Sequence, residues 1–163
     1  MSLSVTCLAP FLQPPSLQLG YTLPSSGQTL ARTLQLPLLV TKFSQPVEVP
    51  QQVFTLRWGQ VAGPPFKLSA QVPRVRPLAP AALDTLLPGL NLQRLHGIDP
   101  DPSVAAAACV LHCGGAEARQ VPCMLKIGGL DGRSTTVTVT VATADAVTTD
   151  ALKSELATLL AHA

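Results

Sequence analysis

Thr136-Val137-Thr138-Val139-Thr140-Val141, close to the C-terminal end of the chain, decides the fold class. A two-residue period puts Val137, Val139 and Val141 on one face of an extended segment and Thr136, Thr138 and Thr140 on the other. β-Branched residues suit a pleated surface, and the alternation predicts a half-buried antiparallel strand. Three further strands precede it. One spans 120–127 and is closed by Gly128-Gly129-Leu130-Asp131-Gly132. Another spans 104–113 and is closed by Gly114-Gly115. The earliest spans 91–98 and is turned by Asp99-Pro100-Asp101-Pro102. Beyond the valine strand, Leu152, Leu156, Leu159 and Leu160 form one helical stripe, with Thr148 or Thr149 as the expected cap and Asp150 near the positive helix end.

Upstream, Leu17, Leu19, Tyr21 and Leu23 alternate with polar or small residues, Pro24-Ser25-Ser26-Gly27 makes a turn, and Leu30, Arg32, Leu34, Leu36 and Leu38 share a second alternation. This predicts an antiparallel hairpin, which is marginal in water by itself. Since Met1 stands almost at a strand, the expectation is a fragment that lacks earlier strands. Residues 38–43 continue extended. From Gln51, Phe54, Trp58 and Val61 recur at helical spacing, so a helix of about ten residues is expected, with Pro50 at its first turn and Gly59, Gly63 and Pro64 as stops. The proline-rich stretch 64–80 reads as an irregular crossing, and 79–87 as a second short helix ended by Pro88-Gly89. The expected fold class is α+β: a five-stranded antiparallel sheet in the order strand, helix, four strands, helix, with the helices packed on one face.

Of 163 residues, 47% are hydrophobic and 12% charged, with a formal net charge of +2. That excludes wholesale disorder and lacks the dense basic face of a nucleic-acid module. No apolar run approaches the roughly 20 residues of a membrane-spanning helix. Residues 1–12 lack the pattern of a secretory signal, so a soluble intracellular protein is expected. Cys7, Cys109, Cys113 and Cys123 read as buried reduced thiols rather than a disulfide frame. Cys109, Cys113 and Cys123, with His112, would serve the alternative of a small thiol or metal protein, but they lack the paired short spacings of a zinc ribbon.

No phosphate loop, nucleophile elbow or zinc-protease helix is present, and the glycines at 128, 129 and 132 lead into a strand, as turn glycines do. His96, His112 and His162 lie on different elements, and His112 reads as a strand-edge polar residue. Asp99 and Asp101 belong to their turn. The expectation is a non-enzymatic protein without metal or cofactor. Trp58, the single tryptophan, follows Arg57 on the helix that carries Phe54. It reads either as core, because large aromatics mostly bury, or as an exposed platform, because Trp and Arg dominate recognition hot spots.

A resemblance bears on that choice. Thr41-Lys42-Phe43-Ser44-Gln45-Pro46-Val47-Glu48, followed by Arg57-Trp58-Gly59-Gln60, resembles alpha-adaptin, in which a linking strand ends in Lys-Phe-Phe-Gln-Pro-Thr-Glu and the first platform helix carries Arg-Trp-Lys-Gln. Ile98-Asp99-Pro100-Asp101-Pro102 is similar to Val-Asp-Pro-Asn-Pro of that family, and Cys123-Met124-Leu125-Lys126 to Cys-Leu-Leu-Arg. Thr140-Val141-Ala142, Asp145 and Leu152-Lys153 resemble the C-terminal end of plant members. The matches are collinear from Leu17 onward.

The resemblance implies the C-terminal appendage of the large alpha subunit of the plasma-membrane clathrin adaptor. Residues 1–40 would be the last strands of an immunoglobulin-like β-sandwich, and 41–163 a platform. It further implies binding of short Asp-Pro-Phe, Asp-Pro-Trp and Phe-x-Asp-x-Phe motifs of endocytic accessory proteins at clathrin-coated pits, with Trp58, Lys126, Phe54, Arg57 and Gln60 as peptide-binding residues. Clathrin and the other adaptor subunits would be met through upstream chain, with no direct membrane insertion. Lys126 stands for a pocket Arg, keeping the charge without the bidentate fork. Thr55 replaces a second Phe of animal members, Lys67 falls near a pocket Glu, and the strand 134–143 offers Thr and Val where animal members place two Arg. An appendage that has lost motif binding is the alternative within the family.

Overall fold

The computed structural model describes residues 5–114 and 119–163. The expected hairpin forms, with β1 (Ser16–Thr22) and β2 (Thr29–Gln35) paired antiparallel from Ser16 opposite Gln35 to Thr22 opposite Thr29. These two strands make a sheet of their own. Leu19, Tyr21 and Leu34 remain exposed on it.

A short turn follows where sequence predicts continued extended chain: Val40–Phe43 winds into a 3-10 helix. The cause lies far off in sequence. Glu155 accepts hydrogen bonds from the Val40 amide (2.6 Å), the Thr41 hydroxyl (2.6 Å) and the Thr41 amide (3.3 Å). A carboxylate thus collects the orphan donors that open a helical turn. The chain then runs through β3 (Ser44–Pro46), α1 (Gln51–Gln60), β4 (Lys67–Pro73), α2 (Pro80–Gly89), β5 (Gln93–Leu95), β6 (Ala105–Cys113), β7 (Arg119–Gly128), β8 (Thr136–Thr143) and α3 (Ala146–His162). Gly115, expected to close β6, lies outside the described residues.

The second sheet has the order β3-β6-β7-β8-β4, with all neighbours antiparallel. β5 also pairs with β6, lower along the edge that β3 occupies above, so six strands take part. The additional strand is β4, which the proline-rich stretch conceals. It pairs with β8 at the rim of the sheet, where a terminal proline leaves no ladder partner stranded. Gly59 is tolerated inside α1, which ends one residue later. The cap of α3 is Asp145, which accepts from the Thr148 amide (2.8 Å) and hydroxyl (2.7 Å). Burial alone would raise this carboxyl, but the Thr148 hydrogen bonds and the Arg119 guanidinium bring it below the usual carboxylate range. Thr148 and Thr149 themselves lie buried inside the helix, where the Thr149 hydroxyl meets that of Thr143 at 2.8 Å.

The two faces of the sheet are covered differently. Val137, Val139 and Val141 share a core with Leu125 and Ile127 of β7, Leu83 and Leu87 of α2, and Leu152, Leu156 and Leu160 of α3. The opposite face carries Ala106, Ala108, Met124 and Ala142, on which Phe54 of α1 packs with Leu95 and Ile98. Helices therefore lie on both faces, not on one. The amphipathic pattern of α1 says that it must pack on something, but not on which side of the sheet. The β7–β8 turn depends on Gly129, at φ +84° with its backbone against the Thr136 carbonyl, where a side chain would find neither a relaxed conformation nor space.

All four cysteines are buried free thiols. Cys109 stands opposite Cys123 in register. The hydrogen bond with Cys109 and burial together push the Cys123 thiol well above its ordinary value. His112 is inside a ladder rather than at a strand edge, paired with Gln120, and its Nε2 is buried with no hydrogen-bond partner among the described residues.

The layering predicts an uneven response to mutation. Leu125→Ala, at a fully buried position between the helical layer and the strands, should cost about 3 kcal/mol in urea unfolding. Leu34→Ala on the exposed hairpin should change stability by no more than about 0.5 kcal/mol. Equal losses at the two positions would contradict the assignment of the core.

Candidate functional site

Strand register builds the surface around Trp58. On the α1 face, Ala106 of β6 lies opposite Lys126 of β7, Lys126 opposite Thr140 of β8, and Thr140 opposite Ser69 of β4. The next row on that face runs Ala108, Met124, Ala142 and Lys67. Strand periodicity thus delivers two lysines, Lys67 and Lys126, to one side of the sheet beside α1. Thr140 contributes a hydroxyl between them, hydrogen-bonded at 2.8 Å to that of Ser69.

Phe54 and Trp58 are one helical turn apart and therefore share a face. Phe54 is fully buried against the sheet. Its ring stacks on that of Trp58, with centroids 5.6 Å apart and planes 11° from parallel. Trp58 is half-buried, so neither reading of the sequence holds alone: the indole rests on the core and still presents surface. Two cations reach it. Lys67 Nζ lies 4.7 Å from the ring centroid and Lys126 Nζ 5.3 Å, within cation–π range.

The lysines differ in what else they hold. Lys67 Nζ donates to the Trp58 carbonyl at 2.5 Å, placing a cation at the C-terminal end of α1, where carbonyls lack helical partners. It has no carboxylate partner among the described residues. Burial, and then the charge of Lys126, lower its pKa from the ordinary lysine value. Lys126 Nζ instead donates to Asp99 Oδ2 at 2.6 Å. This hydrogen bond is the main force holding the Asp99 carboxyl below its ordinary range. Asp99 is fixed in turn, because its Oδ1 accepts from the Asp101 amide at 3.1 Å, and Asp101 Oδ1 accepts from the Ser103 amide at 2.8 Å. These are the side-chain-to-backbone turns that an Asp-Pro-Asp-Pro stretch favours.

Of the five residues expected to bind peptide, Trp58, Phe54 and Lys126 come together. Phe54 is a buried support rather than an exposed contact. Arg57 points elsewhere: it lines a small apolar pocket with Val47, Val49, Ala108, Val110 and Met124. Gln60 borders a shallow depression with Val61, Ala62, Phe66, Thr143 and Ala144. Thr55 is exposed. The resemblance set Lys67 near a pocket Glu without counting it among the peptide-binding residues, and Asp99 was given only its turn. The alternation of Lys67, Ser69 and Gln71 with Leu68, Ala70 and Val72 held the signal for the first. Nothing local held it for the second, since Asp99 and Lys126 are far apart in the chain. Among the described residues no group of three or more His, Cys, Asp or Glu is arranged to hold a metal, and no helix is long and apolar enough to cross a membrane.

A family model described as "Alpha adaptin AP2, C-terminal domain" matches residues 42–160, a span that includes Trp58, Lys67, Asp99 and Lys126. The chain is similar to AP-2 complex subunit alpha-1 of Arabidopsis thaliana, 27% identical over 135 residues, which is 83% of this chain and 13% of that protein. It is also similar to AP-2 complex subunit alpha-2 of Dictyostelium discoideum, 26% identical over 110 residues, covering 67% of this chain and 11% of that protein. AP-2 complex subunit alpha-2 of Arabidopsis thaliana is 32% identical over 79 residues, 48% of this chain and 8% of that protein. The chain spans about a tenth of the length of these relatives.

The Lys126–Asp99 pair has a pH signature. An acid held below its ordinary value stabilises the fold above the usual carboxylate range, and that stability is lost as pH falls through the lowered midpoint. In a carbon-detected NMR titration, the Asp99 carboxyl should therefore titrate below the ordinary aspartate range. In Lys126→Met the midpoint should climb. An unchanged midpoint in that variant would show that the backbone turn, and not the lysine, holds the charge.

Proposed function

The chain belongs to the alpha-adaptin C-terminal domain family, and from that premise we propose that it is a clathrin-adaptor appendage. In this reading it captures short aromatic and acidic motifs, of the Asp-Pro-Phe, Asp-Pro-Trp or Phe-x-Asp-x-Phe type, from accessory proteins of clathrin-mediated endocytosis. The observation that carries the reading is the half-exposed Trp58 ring, backed by Phe54 and approached by Lys67 and Lys126. A visiting phenyl or indole ring gains contact area and favourable ring geometry against Trp58, while a neighbouring carboxylate is drawn to the lysines. Recognition needs no bond-making step, and the domain works as a non-enzymatic binding module.

The organisation that follows has residues 41–163 as the platform and residues 1–40 as the end of a preceding β-sandwich, to which the open faces of the β1–β2 hairpin suit. Contacts with clathrin and the other adaptor subunits would be made through upstream chain, with the domain working at coated pits of the plasma membrane without membrane insertion. Each motif binds weakly, and several motifs on one disordered partner gain strength through effective concentration.

Titration of the isotope-labelled chain with an Asp-Pro-Phe peptide should shift the Trp58 indole N–H and neighbouring α1 amides. Trp58→Ala should weaken the peptide by about thirtyfold, the loss of an aromatic anchor worth ~2 kcal/mol, while circular dichroism stays native. Exchanging the peptide Asp for Asn should weaken it less. Binding that survives Trp58→Ala undiminished would remove the reading.

A further inference from the structure

The two lysines beside Trp58 are chemically alike and differently engaged. Lys126 is paired with a carboxylate of its own chain, at 2.6 Å, in a pair whose side chains are 27% and 15% exposed. Lys67 faces the same ring with no carboxylate partner among the described residues. The carboxylate on Lys126 is not a swinging surface acid. Its other oxygen receives the Asp101 amide, the following turn is closed by the Ser103 amide on Asp101, and Ile98 before it is buried beneath α1.

We infer that Asp99 is a resident carboxylate that occupies Lys126 in the empty site, so that a ligand acid reaches this lysine only by replacing it. The inference rests on the reading of the Trp58 surface as a site for acidic, aromatic peptides. Its physical content is a difference in charge. With Asp99 in place, Lys67, Lys126 and Asp99 together present one net positive charge, and without it they present two. Exchange of one carboxylate for another on Lys126 is close to balanced. A ligand acid therefore gains little there, and the open attraction of the site comes from Lys67. Asp99 thereby sets how acidic a peptide must be before charge adds to the grip of the ring. A partly buried lysine stripped of its partner is costly, and an anion from outside relieves it.

Asp99→Asn tests this with little disturbance, since the amide keeps an oxygen for the Asp101 N–H and loses only the acceptor facing Lys126. Two probes are titrated into the wild-type chain, Asp99→Asn and Asp99→Asn/Lys126→Met: an Asp-Pro-Phe peptide and N-acetyl-aspartate methylamide, which offers a carboxylate without a ring. Affinity and the Lys126 side-chain NMR shifts are read at two salt concentrations. Asp99→Asn should bind the peptide roughly three- to fivefold tighter, the worth of one solvent-exposed ion pair, with steeper salt dependence. The aspartate probe should move the Lys126 signals only in Asp99→Asn, and the double variant should lose the gain in peptide affinity.

Unchanged or weaker peptide binding in Asp99→Asn would overturn the inference and leave the function standing, because Asp99 would then merely hold Lys126 in place. Capture of the aspartate probe by Lys126 in Asp99→Asn, with no peptide bound by any variant, would support the inference while removing the peptide-binding reading. Silence of Lys126 toward both probes in Asp99→Asn would overturn the inference outright.

Discussion

Phe54 is the only residue of α1 fully withdrawn from solvent, and the rest of the candidate site is organised by where it sits. The helix is short, carries three glutamines and a glycine, and has little propensity to hold itself together. Its stability is borrowed from one phenyl ring set among Ala106, Ala108, Met124 and Ala142, with Leu95 and Ile98 at the flank. Trp58 follows one turn later and stacks on that ring. The indole is therefore neither loose on the surface nor lost in the core, but held by its lower face with part of it left to solvent. An aromatic anchor pre-set in this way loses little freedom when something binds to it.

Electrostatics completes what packing begins. Lys67 comes from the edge strand and Lys126 from a central one, and they reach the same indole because antiparallel register brings alternate positions of β4 and β7 to one face. Their mutual repulsion is relieved on one side by Asp99 and on the other by the carbonyl of Trp58 itself. The lysine that supports the end of α1 is thus also the one without a carboxylate partner among the described residues. Helix position and local charge are coupled through a single side chain.

Much of this fold was legible in the chain. The Val/Thr alternation of β8, the leucine stripe of α3 and the paired alternations of β1 and β2 each carry their period plainly, and each element forms where it is expected. The parts that were not legible depend on partners distant in sequence. Val40–Phe43 turns because Glu155 gathers its donors. β4 was concealed because proline counts against a strand in local reading and not at a sheet rim. The cap of α3 went to Asp145 rather than to a threonine because the Thr148 hydroxyl donates to that aspartate and the Thr149 hydroxyl meets that of Thr143. For the site, the matching segments around Trp58 and Lys126 were visible, while Lys67 and Asp99 needed the register of the sheet before they could be placed beside the indole.

Strand β6 begins Ala105-Ala106-Ala107-Ala108, four methyl side chains in a row, two toward each layer. On the α1 side they act as shims: the helix can sit only as close to the backbone of the sheet as Ala106 and Ala108 permit. The height of the indole above the two ammonium groups is therefore set from beneath, by buried residues that make no contact at the indole's open face. Relatives that vary in the bulk of these spacer positions would present the same aromatic and the same cations at a different separation, and so tune recognition without altering a single contacting side chain.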